Sequence, residues 1–179
     1  MRPPQFKASK DWDRRYLQLA ELIAAWSKDP TTKVGAVCVR DRRILSTGYN
    51  GLPIGVDDSD YRLADRDTRV AMTLQAEANA ITQAARNGIS LMGSDLYIFP
   101  LPPSAPSACA IINAGIRRVV LWDFVIPTRH QETFDRAAQM FSESGVALFR
   151  MDESEEKQSD QPTTNFGSKI PPSLRDIAS

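Results

Sequence analysis

Between Val34 and Met151, strand-like runs alternate with single helical stretches, and this alternation constrains the fold more than any other feature of the chain. Val34 to Val39 and Ile44 to Tyr49 read as two strands joined through Asp41-Arg42-Arg43, an antiparallel hairpin. Leu96 to Phe99, Arg118 to Trp122 and Val146 to Met151 read as three more, each reached through one helical stretch. A strand that follows another through a single helix returns parallel, by a right-handed crossover. With a helix ahead of the hairpin, the order α-β-β-α-β-α-β-α-β predicts an α/β fold: a three-layer α/β/α sandwich on a mixed five-stranded sheet.

The helices have their own signals. In the first, Trp12, Tyr16, Leu19, Ala20, Ile23 and Trp26 recur at three- and four-residue steps, Ser9 or Asp11 caps the start, and Asp29-Pro30 ends it. A second is predicted from Asp67 or Thr68 to Asn87, closed by Gly88, with Val70, Leu74, Ala78, Ile81 and Ala85 as its buried stripe. A third runs from Pro103-Ser104 to near Gly115, and a fourth from Gln131 to Ser144. The polar loop after Asn50-Gly51-Leu52-Pro53 carries Asp57, Asp58, Asp60, Asp65 and Asp67, and is long enough to be functional.

The 179 residues are 42% hydrophobic and 25% charged, which suits one globular domain over residues 9–151. A Pro-rich leader (1–8) precedes it, and a polar tail (152–179) with low apolar content is predicted to be disordered, with Phe166 and Ile170 as its docking points. Lys+Arg and Asp+Glu both number 22, a balance that excludes a broad basic surface for extended nucleic acid. No apolar run approaches the roughly 20 residues of a membrane span, and the opening residues lack the apolar core of a signal peptide. A cytoplasmic location is the expectation. With two cysteines, Cys38 and Cys109, and one histidine, His130, the chain has little material for a disulfide framework or a multi-thiolate metal centre.

Three segments fall where α/β sites form, at strand ends and helix starts: Gly48-Tyr49-Asn50-Gly51, Gln75-Ala76-Glu77-Ala78-Asn79-Ala80-Ile81 and Pro103-Ser104-Ala105-Pro106-Ser107-Ala108. With them the chain resembles the cytidine/deoxycytidylate deaminase superfamily, most closely its deoxycytidylate (dCMP) branch, from about Asp11 to Met151. The stretch from Asp29-Pro30 through Lys33-Val34-Gly35-Ala36-Val37 and the tract Ile111-Ile112-Asn113-Ala114-Gly115-Ile116 are similar to that family as well. In the family one helix carries His-Ala-Glu and a later one begins Pro-Cys-x-x-Cys; the His and both Cys hold zinc and the Glu moves protons. By the resemblance, Gln75 stands at the His position, Ser104 and Ser107 at the Cys positions, and Glu77 at the proton shuttle. Asn50 matches the residue that reads the sugar, and the Ala76 N–H matches the group that meets the base carbonyl.

An amide and two alcohols are poor zinc donors, because zinc at neutral pH relies on thiolate or imidazole. No zinc, and no other cofactor, is therefore expected. Cys109 lies about 200° round a helix from Ser107, Cys38 reads as a small buried hydrophobe in a strand, and His130 as a solvated surface residue or cap in the loop before the last helix; none is expected to rescue a metal. A neutral site leaves several readings open. Glu77 is a functional carboxyl or an ordinary helix residue; Ser104 and Ser107 are site residues or an N-cap and first-turn pair. Gln75 hydrogen-bonds those serines in place of a metal cross-link. Asn50 before Gly51 is a turn residue or a sugar reader. Arg62, Arg66 and Arg69 lie on a solvated surface or meet a phosphate. Three functions follow: a zinc-less protein that binds a pyrimidine nucleotide or related heterocycle; a metal-independent enzyme with Glu77 as acid/base and Ser104, Ser107 and helix-start amides as an oxyanion site; or a dCMP deaminase whose ligands have been mutated. The resemblance also implies a homo-oligomer, or a hetero-oligomer with an active deaminase.

Overall fold

Side chains of a strand point alternately to opposite faces, so a strand buried on both sides must be apolar throughout. The computed structural model, which describes residues 10–152, shows this along the middle of three central strands, with charged residues only at their ends. These are β1 (Gly35–Arg40), β3 (Asp95–Phe99) and β4 (Arg118–Trp122), flanked by β2 (Arg43–Tyr49) and β5 (Ala147–Met151) in the order β2-β1-β3-β4-β5. Strand β1 is antiparallel to both neighbours, and β3, β4 and β5 run parallel. Ala36, Cys38, Leu96, Ile98, Val119 and Leu121 face one core, under α4 (Ala76–Arg86), α5 (Ala105–Asn113) and α6 (Thr128–Ser144). Val37, Val39, Tyr97, Val120 and Trp122 face the other, where α1 (Lys10–Ala24) lays Tyr16, Leu17, Ala20 and Ile23. The chain is thus the expected three-layer sandwich on a mixed five-stranded sheet. The leader at 1–8 and the tail beyond Asp152 lie outside the described residues.

The hairpin turn is tighter than expected. Asp41 and Arg42 alone form it, both at positive φ (52° and 62°), the two-residue turn whose twist matches the flanking strands.

The helix expected as one piece from 67 to 87 is two, α3 (Arg66–Met72) and α4, and a short α2 (Asp60–Ala64) occupies part of the preceding polar loop. The break has a tertiary cause. Leu74 forms an isolated antiparallel bridge with Gly51, donating to its carbonyl at 2.9 Å and accepting from its N–H at 3.1 Å. Backbone groups engaged this way cannot continue a helix, so Gln75 becomes the extended N-cap of α4. The predicted stripe fails with it: Val70 is 63% exposed, Ala85 is exposed, and the buried face of α4 is Ala76, Glu77, Ala80 and Ala84. That face is chosen for size. Gly48 of β2 lies so close that a Cβ there would run into the backbone of Ala76 and Ala80.

On the α1 side a buried ionic network joins three elements. Arg118 on β4 donates through Nη1 and Nη2 to Asp13 at 3.0 and 2.6 Å, and through Nη2 to Asp95 at 2.8 Å. The Tyr97 hydroxyl donates to Asp13 at 2.6 Å. No hydrophobic period signals this cluster.

Two outcomes follow. Gly48→Ala should destabilise the protein by about 2–3 kcal/mol in urea unfolding, as α4 is forced off the sheet. Asp13→Ala, which leaves Arg118 with Asp95 as its carboxylate partner and the Tyr97 hydroxyl without its acceptor, should cost about 1–3 kcal/mol by the same measurement with an unchanged slope.

Candidate active site

The α4–sheet contact decides where Gln75, Ala76 and Glu77 sit. As N-cap, Gln75 has extended backbone (φ −68°, ψ 153°), and its side chain makes no capping bond. It reaches across to α5 instead. There Ser104 is the N-cap, accepting from the Ser107 N–H at 3.3 Å, with a proline in the first turn. Ser104 Oγ donates to Gln75 Oε1 at 2.7 Å, and Ser107 Oγ donates to the same oxygen. One carbonyl thus clasps two hydroxyls and joins the starts of two helices.

Glu77 lies beneath this clasp, only 3% exposed. Burial pushes its carboxyl up to about 7, against the opposing pull of its own backbone N–H and the Ser107 hydroxyl. Ser107 thus stands between the Glu77 carboxyl and the Gln75 carbonyl oxygen, to which its hydroxyl donates.

Above these groups opens a cavity of about 390 Å³, within the range of small-ligand sites. Asn50, Gln75, Ala76, Glu77 and Ser104 line it, so the structure brings these sequence-predicted residues together. Ser107 is 2% exposed and meets the cavity through its neighbours. Asn50 also holds the wall: its Oδ1 accepts from the Val34 N–H at 2.7 Å and its Nδ2 donates to the Thr32 carbonyl at 2.9 Å. One lone pair and one N–H of that carboxamide remain for a ligand.

The expected oxyanion donors at the start of α5 are committed elsewhere. The Ala105 N–H donates to Thr133 Oγ1 at 3.0 Å, those of Ser107 and Ala108 go to Ser104, and Pro106 has none. Both serine hydroxyl protons go to Gln75. An oxyanion placed there would find no free hydrogen.

The three arginines separate. Arg62 donates to the Asp57 carbonyl at 2.8 Å and is not among the cavity residues. Arg69 lines the cavity but is 6% exposed and structural, donating to the Leu63 carbonyl and pairing with Asp29 at 3.4 Å. Arg66 reaches the cavity with only an exposed pairing to Asp67 at 3.4 Å, which holds it weakly. Two residues went unrecognised. Arg129 and His130 stand in the first turn of α6, which begins at Thr128 rather than Gln131, and both line the cavity. His130 therefore stands in the first turn of a helix and not in the loop before it, half-buried against the cavity. Burial and the adjacent Arg129 hold its imidazole below the usual histidine range. The signal was present in Ile126-Pro127, since proline is favoured at helix starts.

The donor set does not fit zinc. The converging groups are a carboxamide oxygen and two alcohols that already satisfy one another. Among the described residues no cluster of three His, Cys, Asp or Glu side chains is placed to hold a metal. Cys109 is exposed, and Cys38 is buried in β1 with its thiol pushed up to about 12 by burial. Nor, among those residues, is any helix long and apolar enough to cross a membrane.

Residues 10–122 match the family described as cytidine and deoxycytidylate deaminase zinc-binding region. An uncharacterized deaminase in the luxG 3′ region of Aliivibrio fischeri is 41% identical over 143 residues, covering 76% of this chain and 91% of that protein. Human deoxycytidylate deaminase is 34% identical over 145 residues, covering 77% and 78%. The dCMP deaminase of cyanophage S-TIM5, solved in complex with dCMP and dUMP, superposes with a TM-score of 0.65 at 26% identity, covering 81% of this chain and all of that one (100%). With the sheet, the paired helix starts and these relatives in agreement, the chain belongs to the cytidine and deoxycytidylate deaminase family.

Proposed function

We propose that this protein binds a pyrimidine nucleotide in the cavity beside Gln75, Ala76 and Glu77, and that it does so without zinc and without zinc-hydroxide deamination. The observation that carries this is the clasp. Gln75 Oε1 takes both serine hydrogens, so the three side chains that would have to grip a cation grip one another instead. Displacing them costs those hydrogen bonds and gains only weak metal donors.

The nucleotide comes from the family and from the lining. The S-TIM5 relative binds dCMP and dUMP. Here Ala76 offers the first N–H of α4, without an intrahelical acceptor, to a base carbonyl, and Asn50 offers its remaining donor and acceptor to a sugar. Arg66 and Arg129 supply positive charge for a 5′-phosphate. A second reading, proton transfer by Glu77 to a bound ligand, is favoured by a buried carboxyl that titrates near neutrality. Without free oxyanion donors at α5, such an activity depends on Glu77 alone. Assembly with itself or with an active deaminase subunit belongs to the same proposal.

Purified protein dialysed against a chelator and then offered zinc should retain far less than one zinc per chain, and should release no ammonia from dCMP. One tightly held zinc, or ammonia release that a chelator abolishes, sinks the proposal. A pyrimidine nucleotide at 100 times its Kd should add about 2.7 kcal/mol, or roughly 5–10 °C in Tm. No response to dCMP, dUMP or their nucleosides removes nucleotide binding.

Glu77 also sets a pH dependence. Its folded-state carboxyl is raised above the unfolded value, so the folded state holds the proton more tightly. The stabilisation is complete below about pH 4.5 and is lost as pH rises through 7. A carboxyl moved from 4.5 to about 7 corresponds to about 3 kcal/mol. Glu77→Gln should abolish that part of the decline between pH 4.5 and 8, read as the difference between variant and parent unfolding curves. Identical pH profiles would show that Glu77 is not protonated in the folded protein.

A further inference from the structure

We propose that the acidic stretch from Glu153 to Asp160 of this chain occupies the cationic mouth of the cavity and competes there with a ligand's phosphate. The competition rests on the nucleotide-binding reading above; the contact does not. Among the charged side chains that line the cavity, Asp29 and Arg69 pair with each other at 3.4 Å, and Glu77 lies buried. Arg66 and Arg129 remain, both exposed. Arg66 has its loose pairing to Asp67 at 3.4 Å. The Arg129 Nε donates to His130 Nε2 at 3.0 Å, and no carboxylate among the described residues pairs with that guanidinium. The mouth thus carries positive charge that its own walls leave largely unneutralised.

Strand β5 delivers the following residues to this place. The Arg150 guanidinium stands 4.8 Å from the centre of the Phe134 ring, one turn of α6 beyond His130. Arg150 also borders a shallow apolar groove with Leu101 and Pro102, and those two residues line the cavity as well. At the end of the strand the Met151 carbonyl accepts from the Asp123 N–H at 2.8 Å. The last described residue, Asp152, therefore leaves the sheet beside the helix start that carries Arg129, His130 and Thr133. Arg129 precedes Phe134 by about 7–8 Å of helix axis. Each extended residue spans about 3.3 Å, so Glu153, Glu155 and Glu156 come within reach of Arg129 over a short length of chain.

The charges are complementary. The whole chain is balanced at 22 acidic and 22 basic residues, yet Glu153, Glu155, Glu156 and Asp160 fall within a stretch whose only base is Lys157. Exposed ion pairs are individually weak and screened by salt. A tether of a few residues changes the balance, because it holds several carboxylates near the arginines at an effective concentration of order mM. A phosphate entering the mouth must displace them.

Phenylglyoxal, which modifies accessible guanidinium groups, reads the contact without any nucleotide. The full chain is compared, residue by residue in mass spectrometry, with a full-length variant carrying Glu153→Gln, Glu155→Gln, Glu156→Gln and Asp160→Asn. Arg129 should react about three- to tenfold faster in the variant. Arg136, further along α6 with its side chain 68% exposed, should react equally in both. High salt should erase the difference, and protein concentration should not alter it. Equal Arg129 rates would overturn the proposal, as would a difference that grows with protein concentration, which means docking on a second copy. Calorimetry then tests the competition: the variant should bind dUMP more tightly by a similar factor, and deoxyuridine, which has no phosphate, equally well. An unchanged dUMP affinity refutes the competition. Binding of neither ligand, with Arg129 still shielded in the parent, refutes the nucleotide reading and leaves the contact standing.

Discussion

The missing side chain at Gly48 is the constraint on which the site depends. Where β2 passes under α4 there is no room for a Cβ, and the helix meets it with alanines at 76, 80 and 84. This close approach lowers the first turn of α4 into the edge of the sheet, and the Gly51–Leu74 bridge keeps the preceding helix, which ends at Met72, from running on into Gln75. The consequence is local. Gln75, Ala76 and Glu77 are presented together on rigid backbone at a helix start, where unpaired N–H groups and the end of a helix dipole are available to a ligand. A bulkier residue at 48 would move all three.

The clasp between Gln75 and the two serines does mechanically what a tetrahedral ion does when it ties a histidine on one helix to cysteines on another. Its energetics differ. A metal cross-link contributes a large binding energy that depends on supply of the ion, whereas two neutral hydrogen bonds contribute on the order of 1 kcal/mol each and depend on nothing outside the chain. The α4–α5 seam therefore takes more of its stability from packing, through Ala76, Ala80, Ala108 and Ile111 in one core cluster. The neutral Gln75, Ser104 and Ser107 side chains also offer no positive charge to hold Glu77 ionised. Burial then dominates, and the carboxyl titrates about where cellular pH lies.

Much of the architecture was legible because strand periodicity is short and local. Arg118–Trp122 has its predicted bounds, and the parallel set follows from single-helix connections. What was misread depended on contacts between distant segments. The apolar period through Val70, Leu74, Ala78, Ile81 and Ala85 is real in the sequence, yet Leu74 is claimed by Gly51 and the helix face is claimed by Gly48, neither visible at helical spacing. Arg69 is similar: the sequence shows an arginine in a polar loop, and only the fold reveals Asp29 and the Leu63 carbonyl around it. The hydrogen bonds of Gln75 to Ser104 and Ser107 were legible, since a donor–acceptor set of that composition can satisfy itself. The commitment of the α5 amides was not, because Thr133 lies on another helix.

On the proposed reading, a cavity stays standing where a carboxamide and two hydroxyls occupy the positions that the resemblance assigns to metal ligands. Removing only one of three metal ligands leaves two strong donors facing an ill-coordinated ion. Replacing them with a carboxamide and two hydroxyls yields a set in which every serine hydrogen has an acceptor and the carbonyl has two donors. The cost falls on chemistry instead of on shape. With those hydrogens spent inside the clasp, the groups still free to a ligand are the Gln75 amino end, the Ala76 N–H and the Glu77 carboxyl, which suit recognition of a flat, hydrogen-bonding ring better than polarisation of water. A site satisfied in its ground state has less left to offer a transition state, which is the physical ground for proposing binding without turnover.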